Sequence, residues 1–152
     1  MRLQLTKRTD YAIRACLHLA TEDRCPISGR LIAERMSIPD SFLPQVMADL
    51  GRAGIVAATN GKHGGYCLSR DPATLSLLEV VEAVEGTDRR RTCALREASC
   101  DGDPGCALHP VWAEAQAAFT DVLAGASIGD LAVRERAALE SVGSQDPERM
   151  PR

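Results

Sequence analysis

Aromatic side chains are scarce in this chain: one Trp, two Tyr and two Phe, 3% of 152 residues. Hydrophobic residues make up 45%, so a packed core is feasible, and it must be built mostly from Leu, Val, Ile and Ala. No apolar run approaches the roughly 20 residues that a bilayer crossing requires, so no membrane partner is expected. The opening "MRLQLTKRTDYAIR" has neither the apolar stretch nor the cleavage site of a secretory signal. That points to a cytoplasmic protein, in a compartment where thiols are kept reduced. There is no internal repeat. No paired acid/base or nucleophile constellation stands out that would sustain an enzyme. The length fits one domain or two small ones.

The overall charge of −3 says nothing of nucleic acid, but its distribution does. Residues 1–70 carry ten Lys and Arg against six Asp and Glu, a net of +4; residues 71–152 carry eight against fifteen, a net of −7. The front half is therefore suited to an anionic partner. Its elements follow from periodicity. In "TKRTDYAIRACLHLATED", Thr6 is an N-cap candidate, and the apolar positions after it recur at helical spacing. A second helix, "ISGRLIAERM", starts from Ser28. "SIPDSFLPQVMADLGRAGIV" reads as a turn and a third helix starting near Asp40 or Ser41, because Pro44 lacks an N–H and fits only the first turn. Extended runs near 55–59 and 66–69 flank "NGKHGG", whose Asn-Gly and Gly-Gly offer the positive φ angles of a tight hairpin. Helix, helix–turn–helix and Gly-rich hairpin, in that order, make a winged helix domain.

The back half continues with an amphipathic helix, "SLLEVVEAVEG", capped by Ser76 and stopped by Gly86. A long helix follows from Pro110, with a stripe of Val111, Trp112, Ala115, Ala118, Phe119, Val122 and Leu123. A stripe that wide must be covered, by the first domain or by a second copy of the chain. The fold class expected is mostly α with a small β-hairpin wing. Residues 1–70 are expected to form a winged helix DNA-binding domain, 71–141 a linker helix, the cysteine loop and dimerisation helices, and 142–152 a disordered tail.

Between those helices lies "CALREASCDGDPGCALHP", with Cys93, Cys100 and Cys106 separated by six and then five residues. A reducing compartment argues against a disulfide here. Structural zinc usually takes cysteines two to four residues apart, and the wider gaps suit a bulkier iron–sulfur cluster. Unused thiols would prefer burial to so polar a segment. Of the other cysteines, Cys16 on the apolar face of the first helix is expected in the core. Cys67 in the second wing strand is expected to be structural, and Cys25 a surface thiol. His18 is read as a helix-surface residue and His63 as a wing-tip residue.

"LTKRTDYAIRACLHLA", "SIPDSFLPQVMADLGRAGIV", "GKHGGYCLSR", "SLLEVVEAVEG", the three cysteines and "SIGDLA" together resemble the Rrf2 family of bacterial transcription regulators, over roughly residues 3–132. The resemblance implies a homodimeric winged helix protein paired through the long helix after the cysteines. Its IscR-, NsrR- and RirA-like members hold an iron–sulfur cluster through three cysteines. They use it to sense iron, cluster supply, nitric oxide or redox state. His109, three residues after Cys106, matches the fourth ligand of IscR-like two-iron (2Fe–2S) members. Asp10 matches the aspartate that NsrR-like members contribute across the dimer to a four-iron (4Fe–4S) cluster. The four-iron assignment with Asp10 is the working expectation and His109 the alternative. The first gap, six residues, departs from the five common in both types.

For DNA, Ser41 and Gln45 occupy the early exposed face of the reading helix, where Gln can bond adenine two ways. Phe42 can meet a thymine methyl or pack in the core. Lys7, Arg8, Lys62 and Arg52 are phosphate candidates, with plain surface solvation favoured for Arg52. Asn60 stands in the wing where IscR-like members have an arginine, which speaks against the IscR target. The sequence thus predicts a DNA-binding regulator, a repressor, controlled by an iron–sulfur cluster. The alternative is a thiol- or zinc-based regulator of the same fold.

Overall fold

The structure, a computed structural model, describes residues 5–87 and 106–143. Cys93, Cys100 and the tail beyond residue 143 lie outside the described residues. The elements run α1 (Lys7–Thr21), α2 (Gly29–Met36), α3 (Leu43–Arg52), β1 (Val56–Thr59), β2 (Gly65–Leu68), α4 (Leu77–Glu85), α5 (His109–Gly125) and α6 (Ile128–Gly143).

Each helix start has a local cause. Thr6 caps α1, its hydroxyl accepting from the Thr9 N–H at 3.2 Å, with Asp10 in the first turn where the helix dipole favours an acid. Ser28 caps α2. Ser37 ends it in the left-handed region, at φ 53°, its N–H reaching the carbonyls of Ala33 and Glu34. Ser76 and Glu79 form a reciprocal capping box at α4, and Gly86 stops that helix at φ 77°. α3 begins two to three residues later than the sequence suggests. Asp40–Phe42 form a turn that donates the Phe42 and Leu43 N–H groups to the Pro39 carbonyl, and Pro44 then sits in the first turn of the helix as expected.

The core is aliphatic, as so few aromatics require. Ala12, Cys16, Ile32, Val46, Met47, Leu50, Ile55, Leu75, Val80 and Ile128 are buried in one continuous cluster. Cys16 is fully enclosed, and burial pushes its thiol pKa up to about 12. Ile128 and Ala132 bring α6 back onto α1. The crossing is clamped where the Leu77 N–H meets the Ala126 carbonyl and the Ile128 N–H meets that of Leu75, each at 2.8 Å. His18 departs from expectation: it is 5% exposed, so it belongs to the packed face of α1 and not to its surface. The apolar period of α1 continues through position 18, between Leu17 and Leu19.

β1 and β2 pair antiparallel, Val56 opposite Leu68 through Thr59 opposite Gly65. A third partner joins them on the other edge. Ile27 and Tyr66 exchange both backbone hydrogen bonds, at 3.0 and 2.8 Å. Of the hairpin glycines, Gly61 takes the expected positive φ, 109°. Gly64 and Gly65 are needed for a different reason: a Cβ on Gly64 would overlap the Thr59 carbonyl, and one on Gly65 the Ile27 carbonyl. The Ile27–Tyr66 pairing also corrects the reading of Cys25. It is not a lone surface thiol but is disulfide-bonded to Cys67, with a Cα–Cα distance of 5.6 Å. The strand contact sets the two residues side by side.

Candidate nucleic-acid interface and effector site

α3 buries Leu43, Val46, Met47 and Leu50 and turns Pro44, Gln45 and Ala48 outward, while Ser41 and Phe42 are exposed in the turn before it. The polar start of this helix is therefore free of the core, as a reading helix requires. Phe42 resolves toward the surface, 43% exposed. Beside it stands the wing, exposed from Ala57 to His63, with Asn60, Lys62 and His63 at its tip. Lys7 is exposed at the start of α1.

Arg8 and Arg52 are differently placed. Both guanidiniums pair with Asp49, a carboxylate only 4% exposed on the inner side of α3. This buried acid ties the first turn of α1 to the last turn of the reading helix. Asp49 escaped the sequence reading, although its i,i+3 spacing to Arg52 was visible. Arg8 and Arg52 thus present to any phosphate guanidiniums that a buried carboxylate already orients.

A second region lies along the exposed side of α1. A cleft of about 760 Å³ is lined by Lys7, Asp10, Tyr11, Ile13, Arg14 and Ser37. The Asp10 carboxylate is nearly half exposed and accepts from Arg14 Nε at 3.0 Å; Arg14 also reaches the Met36 carbonyl at 3.5 Å. Next to Asp10, the Tyr11 ring contacts Phe42 at 5.7 Å between centroids, tilted by 58°. The Asp10 cleft is thereby in contact with the residue that precedes α3. Glu85, at the end of α4, accepts from the Thr6 N–H at 3.1 Å and from the buried Thr9 hydroxyl at 2.6 Å. Glu85 thus ties the C-terminal end of α4 to the first turn of α1. Neither Glu85 nor Thr9 was singled out from the sequence, because a pairing across 76 residues has no local signal.

Cys106 is a half-buried free thiol three residues before the start of α5, its carbonyl accepting from the His109 N–H at 3.2 Å. His109 is half buried at the first position of α5. The Asp10 cleft is lined by neither of them. Among the described residues no three His, Cys, Asp or Glu side chains converge on a metal position, and two of the three thiols of the segment fall outside those residues. The donor chemistry present nonetheless fits an iron–sulfur cluster: an accessible thiol ahead of a helix N-terminus, and a carboxylate open to a cleft.

A helix–turn–helix with an exposed polar start, flanked by a wing whose tip is open, defines a winged helix DNA-binding regulator. The chain belongs to the Rrf2 family, whose profile, described as "Iron-dependent Transcriptional regulator", matches residues 5–134. It is 32% identical over 130 residues to the HTH-type transcriptional regulator IscR of Vibrio vulnificus strain YJ016, covering 85% of this chain and 77% of that one. To the regulator NsrR of Shouchella clausii strain KSM-K16 it is 33% identical over 135 residues, covering 88% and 91%. Among solved structures, CymR, the global cysteine regulator of B. subtilis, superposes with a TM-score of 0.72 at 25% identity, over 88% of this chain and 98% of that one. The protein is thus a transcription regulator and not an enzyme. No helix among the described residues is long and apolar enough to cross a membrane.

Proposed function

We propose that the protein is a homodimeric cytoplasmic repressor whose affinity for a double-stranded DNA operator is set by an iron–sulfur cluster held by Cys93, Cys100 and Cys106. Asp10 of the partner subunit completes a four-iron site; His109 completing a two-iron site is the alternative that the test below separates. When bound, the cluster supplies a centre that reacts with nitric oxide or oxidants and whose presence reports iron supply.

The observation that carries this reading is the chain of contacts from Asp10 to the reading helix. Asp10 is held by Arg14 on an open cleft, and its neighbour Tyr11 touches Phe42 at the entry to α3. A carboxylate that exchanges Arg14 for another partner repositions the first turn of α1, and Tyr11 passes the displacement to Phe42. Glu85 provides a second tie, from the C-terminal end of α4 to Thr6 and Thr9 on that same turn. Two sites that bias one packed element are coupled in both directions. At the DNA, Ser41 and Gln45 address base edges and Phe42 a thymine methyl. Asn60 enters beside them from the wing, and Lys7, Arg8 and Lys62 hold phosphates. The dimer is supported by α5, which has no buried residue within one chain and leaves Val111, Phe119 and Val122 from 45% to 71% exposed.

Native mass spectrometry of anaerobically isolated protein is the test. A dimer carrying one four-iron cluster per protomer, lost on nitric oxide treatment together with affinity for a promoter duplex, is the expected result. Asp10→Ala should remove the cluster and His109→Ala should spare it; the reverse pattern assigns the two-iron site. Stoichiometric zinc without iron, or affinity indifferent to the cluster, overturns the proposal.

A further inference from the structure

The Cys25–Cys67 disulfide has no part in the scheme above and sits at a mechanically sensitive place. It closes a loop of 42 residues in sequence separation that encloses α2, α3 and β1, that is, the whole helix–turn–helix and half of the wing. On one side it grips the segment just before α2. On the other it grips β2, whose Cys67 pairs with Ala57 of β1. The pair stands next to the Ile27–Tyr66 hydrogen bonds, and Tyr66 packs at about 3.3 Å from where a side chain on Gly29 would begin, at the start of α2. This corner is one of two places where the wing meets the helix–turn–helix, the other being the Ala53–Ile55 turn that joins α3 to β1.

Its chemistry is also specific. The 5.6 Å Cα–Cα separation lies inside the span a disulfide bridges without backbone movement, roughly 4.4–6.8 Å. Cys25 is exposed and Cys67 half exposed, so oxidants and reductants in solution can reach the sulfurs. A regulator that binds DNA works where thiols are kept reduced, and there a disulfide open to solvent is a reversible one, while structural bridges are rare.

We infer that Cys25 and Cys67 form a reversible thiol–disulfide switch on the wing, independent of the three-cysteine segment, that responds to peroxides. Oxidation proceeds in two steps. A Cys25 or Cys67 thiolate attacks a peroxide oxygen, breaking the O–O bond; this forms a sulfenic acid and releases one water or alcohol. The second thiol displaces the hydroxyl as water and the sulfur–sulfur bond forms. Two electrons and two thiol protons leave the protein, and for hydrogen peroxide two waters result. A cellular dithiol returns the two electrons and is itself oxidised to a disulfide. The closed bond holds the wing at a fixed angle to α3, so the oxidised form binds DNA without first ordering the wing. Ordering costs of this kind correspond to a change of about 3- to 10-fold in affinity.

The experiment uses full-length protein and a duplex selected by it from a random-sequence pool, with Cys25→Ser and Cys67→Ser variants in parallel. All three keep Cys93, Cys100 and Cys106, so any difference between them belongs to this pair. After hydrogen peroxide, alkylation and peptide mass analysis should find residues 25 and 67 joined in the wild type. Fluorescence anisotropy should show binding tightened by about 3- to 10-fold relative to the variants, reversed by a dithiol. Hydrogen exchange should slow across β2 in the oxidised form. Any of three results overturns the inference: thiols at 25 and 67 that stay free under peroxide, a bond that a dithiol does not open, or wild type and variants responding alike.

Discussion

At the scale of single residues, His18 shows how burial converts an ordinary side chain into a pH sensor of stability. Desolvation pushes its pKa below the usual 6.5, with Arg35 acting the same way and Glu22 and Glu135 opposing. In the unfolded chain the ring takes up a proton near its ordinary value; in the folded chain it resists. Below pH 6.5 the unfolded state therefore binds more protons, and stability falls with pH from there toward the lower folded value. The urea midpoint of the wild type should drop between about pH 7 and 5.5 more steeply than that of His18→Gln. Parallel curves for the two proteins would remove His18 as the cause. The same scale contains the clearest lesson about legibility. Ser76, Gly86 and Thr6 were readable as caps because a cap is set within four residues of chain. Asp49 was not, because what makes it consequential is Arg8, which arrives from another helix.

At the scale of elements, the wing is held to the helix–turn–helix by backbone. β2 pairs with β1 on one edge and meets Ile27 in an isolated bridge on the other, and Gly65 permits that approach by having no Cβ. Gly65→Ala should force Ile27 and Tyr66 apart and cost about 1–3 kcal/mol, as overpacking does elsewhere. Hydrogen exchange should show protection lost at the Ile27 and Tyr66 amides, while α1 and α4 remain protected. An unchanged exchange pattern would mean the wing is seated by something else. The hairpin itself was legible from "NGKHGG", but the role of its Gly-Gly pair was not. Positive φ is a local demand, whereas close approach depends on which strand lies alongside.

At the scale of the whole molecule, α5 carries the exposed apolar side chains on which the proposed dimer rests. α6 is anchored on the core through Ile128 and Ala132, and α5 packs on α4, but Val111, Phe119 and Val122 remain open to solvent. In a symmetric interface each substitution enters twice. Val122→Glu should weaken the proposed α5 dimer on the order of 100-fold or more, read by sedimentation as monomer at micromolar concentration. Val122 is 71% exposed within the chain, so circular dichroism should be unaltered. A Val122→Glu protein that stays dimeric would place the interface elsewhere.

The chain by itself determined the helices, their caps, the order of a winged helix domain, an aliphatic core and the family. All of these depend on periodicity, on residues a few positions apart, or on motif order along the chain. Only the tertiary structure decided that Cys25 meets Cys67, that His18 is enclosed, that Asp49 gathers two arginines, and that Glu85 holds the start of α1. The reason is physical. A hydrogen bond, an ion pair or a disulfide between distant residues carries no trace in local spacing, and exists only once packing has brought its partners within a few ångströms.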